Sequence, residues 1–364
     1  MKFRCERDVL ADVLATAGRA ATGRTGTLPV LSGVRIDLHG DQLRVTGTDL
    51  ELTIVVDATV AGQGNGTTVL PARLTADIVR SLSSGAVTID ADQDDVHISA
   101  GRSQFQVRPH SADDFPRLPE FTADAVTLPV ESFGAALRQV ARAASSDDSR
   151  PLLTGVLLAA EESGLRLVAT DSYRLAVRDL PGTTVLREGQ KVLVPSRALN
   201  ELARLVPSSD HITLLLGERE ATFEVGSARL TTRLIEGDFP NYRQLIPQHY
   251  PNRLTVEREP LLEAVSRVKL LARDSTPIRL AMSADGLELT ATTQDIGQAV
   301  ESLDAKYEGA EMVVAFNPDY LSAGVDAVTS DEIVLETLDA LKPAVLRAGD
   351  ASDFLYLLMP VRVP

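Results

Sequence analysis

Arginines at helical spacing are the first chemistry this sequence offers. Arg73 and Arg80 stand seven residues apart, as do Arg197 and Arg204, while Arg138 and Arg142 are four apart. On helices these spacings put each pair on one stripe, where guanidinium groups can meet phosphate. Arg19, Arg267, Lys269 and Arg273 extend the set, and Arg24 and Arg150 follow in loops. A basic stripe is also the ordinary solvated face of an amphipathic helix, and Glu6, Asp12, Asp77, Glu201 and Glu263 share these segments. Acids crowd the strands and hairpins instead, around Asp90–Asp95, Glu161, Glu218 and Asp331. That segregation suits a molecule that meets nucleic acid on one face only.

Other chemistries fail on spacing. Asp90, Asp92, Asp94 and Asp95 lack the glycine and terminal glutamate of a calcium loop. The glycine-rich run from Ala61 to Thr68 lacks the Lys-Ser/Thr of a phosphate loop and reads as a hairpin turn. His39, His97, His110, His211 and His249 show no paired ligand spacing, and no G-x-S-x-G nucleophile elbow occurs. Cys5 is the single cysteine, which excludes an internal disulfide and a thiolate metal cage, and its place on the first strand predicts burial. No catalytic residue, metal or cofactor is expected.

Behind these residues stands a chain of 364, 44% hydrophobic and 24% charged, long enough for two or three folded domains. Lys plus Arg number 36 against 51 Asp plus Glu, a formal net charge of −15. That excludes a general nucleic-acid binder unless the cations gather on one surface. No apolar run approaches the ~18 residues that span a bilayer, and MKFRCERDVL lacks a signal peptide's apolar core. A cytoplasmic protein with no membrane partner is expected.

The elements repeat. LRVTGTD at Leu43 returns as LRLVATD at Leu165 and as LELTATT at Leu287, each copy 122 residues after the last. Strand-pair patterns precede each copy (LSGVRIDL, LTGVLLAA, IRLAMSADG), and a strand followed by a helix comes after it (TVLPARLTADIVRSL, KVLVPSRALNELARLV, MVVAFNPDYLSAGVDAV). A strand and helix open each unit: FRCERDVLADVLATA, LPVESFGAALRQVARAA and LTVEREPLLEAVSRVKLLA. Alternation in VRIDL, VTIDA and VHISA predicts half-buried strands. Val9, Leu10, Val13, Leu14 and Ala17, and later Leu199, Leu202, Ala203 and Val206, predict buried helix faces, with caps at Ser196 and Asn317. Two helices backed by antiparallel sheet, three times over, is an α+β architecture.

The triple repeat, TDSYRLAV at Thr170, EGDFPNYRQLIP at Glu236 and YLLMPVRV at Tyr356 together resemble the bacterial DNA polymerase III β sliding clamps over the whole chain. The resemblance implies three tandem clamp-type domains, at 1–123, 124–251 and 252–364, and a head-to-tail homodimer forming a six-domain ring lined by helices. Twelve helices at ~8–10 Å spacing make a circle about 30–38 Å across, and removing one helix thickness of ~10 Å leaves a hole over ~20 Å wide. Such a ring is not an enzyme. It encircles duplex DNA without reading sequence and tethers the polymerase III α subunit, the clamp loader and other proteins bearing clamp-binding motifs. The DNA-facing set would be Arg19, Arg24, Arg73, Arg80, Arg138, Arg142, Arg150, Arg197, Arg204 and Lys269.

The resemblance also implies a partner-peptide pocket lined by Leu153, Thr170, Ser172, Tyr173, Arg174, Leu175, Pro240, Leu245, Leu357, Leu358, Met359, Pro360, Val361 and Arg362, with Asn317 and Tyr320 bordering a second subsite. Taken alone, Leu153 and Leu357 read equally well as core. The dimer edge would set Phe105 and Val107 against Leu270 and Leu271, with Arg102 and Glu301 as a peripheral pair. Pro151 and Leu152 replace a frequent aromatic pair, Gln244 a frequent arginine, and Tyr173 sits at a variable position. A specialised paralogue, inhibitor-tolerant or sequestering partners as a scaffold, is the alternative. A repeat hydrolase with a cryptic carboxylate pair is a third reading.

Overall fold

The computed structural model describes residues 1–21, 28–92, 94–118, 123–272, 276–349 and 353–362, so Arg24 and Arg273 of the basic set lie outside the described residues. The described chain carries helices α1 (Arg7–Gly18), α2 (Ala72–Ser81), α3 (Val130–Val140), α4 (Ser196–Leu205), α5 (Arg258–Lys269) and α6 (Pro318–Ala327), two per repeat, on antiparallel sheet. The α+β architecture read from the repeats is the one observed.

Strands run directly into several helices, so the first helical N–H groups find carbonyls on other elements. Arg7 N donates to Gly85 O at 2.8 Å, Ser196 N to Thr154 O at 3.0 Å and Arg258 N to Asp331 O at 2.7 Å. This corrects the cap expected at Ser196, which is the first residue of α4 itself. Asn317 does cap α6, its side chain accepting from Asp319 N at 2.9 Å and Tyr320 N at 3.1 Å. Leu10, Val13, Leu14 and Ala17 of α1 are buried, but Val9 turns outward. α1 lies directly on the strand Gln42–Thr48: a Cβ on Gly47 would stand 2.0 Å from the Ala17 carbonyl oxygen, so only glycine permits this contact.

The chain folds as two compact bodies, residues 1–130 with 201–234, and residues 131–200 with 235–364. In the first, an eight-stranded sheet joins the first repeat to the second through Leu52–Thr59 and Ala228–Arg233, with Ile54 opposite Leu230. In the second, a nine-stranded sheet joins the second repeat to the third through Arg174–Pro181 and Phe354–Leu358, with Ala176 opposite Tyr356. The counterparts of these junction strands in the other repeats end sheets instead. Ser103–Val107, the first repeat's counterpart of Ala228–Arg233 and Phe354–Leu358, closes a five-stranded sheet. Gly297–Leu303, the third repeat's counterpart of Leu52–Thr59 and Arg174–Pro181, closes a four-stranded one.

The repeats agree down to single torsions. Among the described residues the non-glycine positions with left-handed backbone are Leu50 (φ 76°), Ser172 (φ 81°) and Asp295 (φ 63°), each in the turn after the repeated LRVTGTD-type strand. One outward face differs between repeats. The first repeat's Gly33–His39 is half-buried at Arg35 and Asp37, whereas the corresponding Leu157 and Ala159 of Gly155–Glu161 are buried. The cause is the following linker. Ile235, Phe239, Tyr242, Ile246 and Tyr250 pack on a cluster that includes Leu157, Ala159, Val168, Leu175 and Leu357.

Candidate functional site

The turn at Thr170–Arg174 is built by two short polar side chains. Thr170 Oγ1 donates to Arg174 O at 2.7 Å and accepts from Ser172 N at 3.2 Å. Buried Asp171 accepts through Oδ1 from Tyr173 N at 2.9 Å and Arg174 N at 3.0 Å, and through Oδ2 from Arg174 Nε at 3.0 Å. Thr48 and Asp49 build the first repeat's turn in the same way. Sequence reasoning passed over Asp171, although the recurring Thr-Asp pair was its signal.

What this turn displays is aromatic and cationic. Tyr173 is 58% exposed, and its ring stacks on that of Tyr320, centroids 6.3 Å apart at 25°. Tyr320 is placed by the Asn317 cap in the first turn of α6. The Arg174 guanidinium carbon stands 4.5 Å from the centre of the Tyr320 ring, and Nη1 donates to Tyr356 Oη at 3.5 Å. Burial opposes the Arg174 charge, yet Tyr356 and Asp171 together raise its pKa. Burial likewise raises the Tyr320 and Tyr356 phenols. This corner therefore holds one fixed cation beside an accessible aromatic surface.

The C-terminal segment closes the arrangement. Met359 N donates to Tyr173 O at 2.8 Å, and Val361 N to Ala315 O at 2.7 Å. Leu153, Leu175, Leu357, Leu358 and Thr170 are buried, so they are floor and core, while Ser172, Tyr173, Pro240, Leu245, Met359, Val361 and Arg362 are exposed and Asn317, Tyr320 and Pro360 half-buried. The turn, the start of α6 and the tail meet around Tyr173 and Tyr320. Pro240 and Leu245 flank Tyr242, whose cluster contains Leu175 and Leu357. Leu152, half-buried, packs on that cluster as well, a residue the sequence had marked only as a departure.

The basic set has a property that spacing did not reveal: acids of the same body answer most of its members. Asp77 stands 3.9 Å from Arg73 and 3.2 Å from Arg80. Glu201 lies 2.6 Å from Arg204 and 3.8 Å from Arg19. Arg142 meets Asp326 at 2.6 Å, Arg150 meets Asp147 at 2.9 Å, and Lys269 meets Asp319 at 2.6 Å. Arg138 is exposed and Arg197 half-buried. Arg73, at 97% side-chain exposure, is the most open of the paired set.

At the two sheet edges, Arg102 and Phe105 are exposed and Val107 is buried. Leu270 is 74% exposed at the end of α5 and Leu271 half-buried. Glu301 already accepts from Arg267 at 2.8 and 3.1 Å, so its partner within one chain is Arg267. Among the described residues no group of three or more His, Cys, Asp or Glu is placed to hold a metal ion, and no helix is long and apolar enough to cross a membrane.

Family models for the DNA polymerase III beta subunit match along the chain: the N-terminal domain at residues 1–119, the central domain at 127–241 and the C-terminal domain at 243–362. The beta sliding clamp of Streptomyces coelicolor is 37% identical with all of both chains covered, and that of Staphylococcus aureus 32% identical over all of this chain and 99% of its own. A sliding clamp structure from Bartonella birtlesii, bound to griselimycin, superposes over all of both chains with a TM-score of 0.90 at 31% identity. The clamp from Bacillus subtilis does so with 0.88 at 28%.

Proposed function

The chain belongs to the DNA polymerase III beta subunit family, the beta sliding clamps, and on that premise we propose how its own residues make it work. It is a non-catalytic processivity factor. Two copies close head to tail around duplex DNA in the cytoplasm, and the ring carries the polymerase III α subunit, the clamp loader and other proteins with clamp-binding peptides. The comparisons favour this over a specialised or sequestering paralogue.

One observation carries the ring. Both junctions inside the chain use a single design. Arg233 N donates to Glu51 O at 3.1 Å in one, and Met359 N to the corresponding Tyr173 O at 2.8 Å in the other. The third repeat's Gly297–Leu303 and the first repeat's Ser103–Val107 are the same two strands left at sheet ends. An open edge exposes unpaired backbone groups, and pairing it with a second copy removes two such edges at once. Carrying the register across sets Ala299 of one copy opposite Phe105 of the other, Val300 opposite Gln104, and brings Arg108 N to Ile296 O. Exposed Phe105, Leu270, Ile296 and Val300 support that closure, with Leu271, Val107 and Arg102 beside them. The three domains, 1–123, 124–251 and 252–364, thereby become six.

Topology then replaces affinity. A closed ring leaves DNA only by opening or by running off an end, so its cations need not bind hard. Arginines already engaged with carboxylates must exchange them for phosphate, which weakens the grip and favours sliding. The stacked tyrosines, the fixed Arg174 and the exposed Met359, Val361 and Leu245 suit an extended apolar peptide, methionine adapting to several partners. Sedimentation should give twice the 39.0 kDa chain mass, and loaded protein should stay on circular DNA and leave it after linearisation. A monomer that runs equally off both would defeat this reading.

A further inference from the structure

The outer face of the second repeat's sheet carries a charge cluster that the peptide cleft leaves unused. Arg166 and Asp179 face each other across paired strands, Nε to Oδ1 at 2.6 Å and Nη2 to Oδ2 at 2.8 Å. The first repeat holds the same pair 122 residues earlier, Arg44 to Asp57 at 2.7 and 3.0 Å. There the pair borders an open cleft of about 530 Å³, with Asp37, His39 and Thr67 around it. In the second repeat Glu161 stands in the place of His39. Its Oε1 accepts from Arg243 Nη2 at 2.5 Å and lies 4.0 Å from Arg166 Nη1.

The Arg–Asp pair is shared by the first two repeats, the third having Glu288 opposite Ser302 at that place, whereas Glu161 and Arg243 are additions found where the linker crosses the second repeat's sheet. Arg243 sits in the short turn Tyr242–Leu245, next to buried Tyr242. The Tyr242 ring anchors this turn into the apolar cluster, with Phe239 and Ile246 packed on the same cluster to either side of it. The Glu161–Arg243 pair adds a polar attachment on the exposed side of the turn.

We propose that Glu161 is a positioning residue of the peptide cleft: through Arg243 it pins the linker turn and so fixes Pro240 and Leu245 as one wall. The proposal rests on the cleft reading given above. Glu161 ends the strand Gly155–Glu161 and reaches the linker turn through Arg243. It acts by reducing the entropy the wall would lose when a peptide docks.

The test uses the full-length protein and a labelled clamp-binding peptide of polymerase III, read by anisotropy. Glu161→Gln and Arg243→Gln should each weaken binding by about two- to fivefold at low salt, and the deficit should fade toward 1 M salt, where the Debye length is ~3 Å. Arg243→Lys should restore most of the affinity. Amide exchange should quicken in residues 241–246 and stay unchanged in the strand Glu220–Val225. Wild-type affinity and exchange in both Gln variants would overturn the proposal. Tyr320→Ala and Met359→Ala test the cleft separately. Binding lost there but untouched by Glu161→Gln would refute the positioning role alone, and binding unaffected by any variant would refute the cleft.

Discussion

Arg142, in the short turn that follows α3, is held by Asp326 of α6, Nη1 to Oδ2 at 2.6 Å, although 184 residues separate them in sequence. The same guanidinium donates through Nη1 to Ala323 O at 3.3 Å and through Nε to Arg138 O at 2.8 Å. A cation so engaged meets phosphate only by giving up its carboxylate.

Removing the carboxylates should therefore tighten the hold on DNA. Asp77→Asn, Asp319→Asn and Asp326→Asn combined should steepen the salt dependence of duplex binding, by up to ~0.9 in log–log slope for each cation released. One-dimensional diffusion on DNA should slow in parallel. Arg73→Ala with Arg142→Ala should do the reverse. An unchanged slope in both sets would remove these helices from the DNA face.

The Thr170–Arg174 turn should be fragile at Asp171. Asp171→Ala leaves two backbone amides and the Arg174 guanidinium without their acceptor, a loss of ~2–4 kcal/mol by the cost of orphaned buried donors. Denaturant unfolding measures the stability. Peptide binding should fall further than stability explains, because Tyr173 loses its placement.

Gly47→Ala should be among the most damaging single methyl groups in the chain. The added carbon meets the Ala17 carbonyl, which is backbone and cannot turn aside. A loss of ~2–4 kcal/mol is expected, whereas Gly40→Ala, which meets nothing within 4 Å, should cost only the strain of its turn. Thermal melting of the two variants makes the comparison.

Glu301 should titrate low. Its hydrogen bonds from Arg267 hold the carboxyl below the ordinary 4.5. Because the folded value is the depressed one, the pair contributes above about pH 4.5 and is lost as pH falls through the folded midpoint. Carbon-13 titration of the Glu301 carboxyl should show this, and Arg267→Gln should return the midpoint to the ordinary range. A midpoint at or above 4.5 in the unaltered protein would contradict the pair.

Local rules carried much of this fold. Asn317 followed by Pro318 announced the start of α6, and the 122-residue step announced the repeats, because caps and periods are written in neighbouring residues. Ser196 missed its role by one position because the preceding strand leaves no loop to hold a cap. The burial of Gly155–Glu161 on both faces was illegible for a different reason. It depends on Tyr242 and Ile246 arriving from some 80 residues away to cover Ala159 and Leu157. Pairing was partly legible, since Asp77 lies between Arg73 and Arg80 on one helix, while Asp326 beside Arg142 required the tertiary fold. The pocket separated the same way: the Thr-Asp turn was visible as a motif, but the Tyr173–Tyr320 stack joins two repeats.

Closure of the ring can be read from one covalent trap. Cys5 is buried and its thiol is pushed up by that burial, so cysteines placed at Gln104 and Val300 report without interference. The double variant Gln104→Cys/Val300→Cys should oxidise to a dimer closed by two intermolecular disulfides, while each single variant stays uncrosslinked at these positions. Loaded on circular DNA, the trapped dimer should survive denaturant and be released only by reduction or by cutting the DNA. A double variant that remains monomeric under oxidation, or a trapped dimer that leaves intact circles, would contradict the head-to-tail ring.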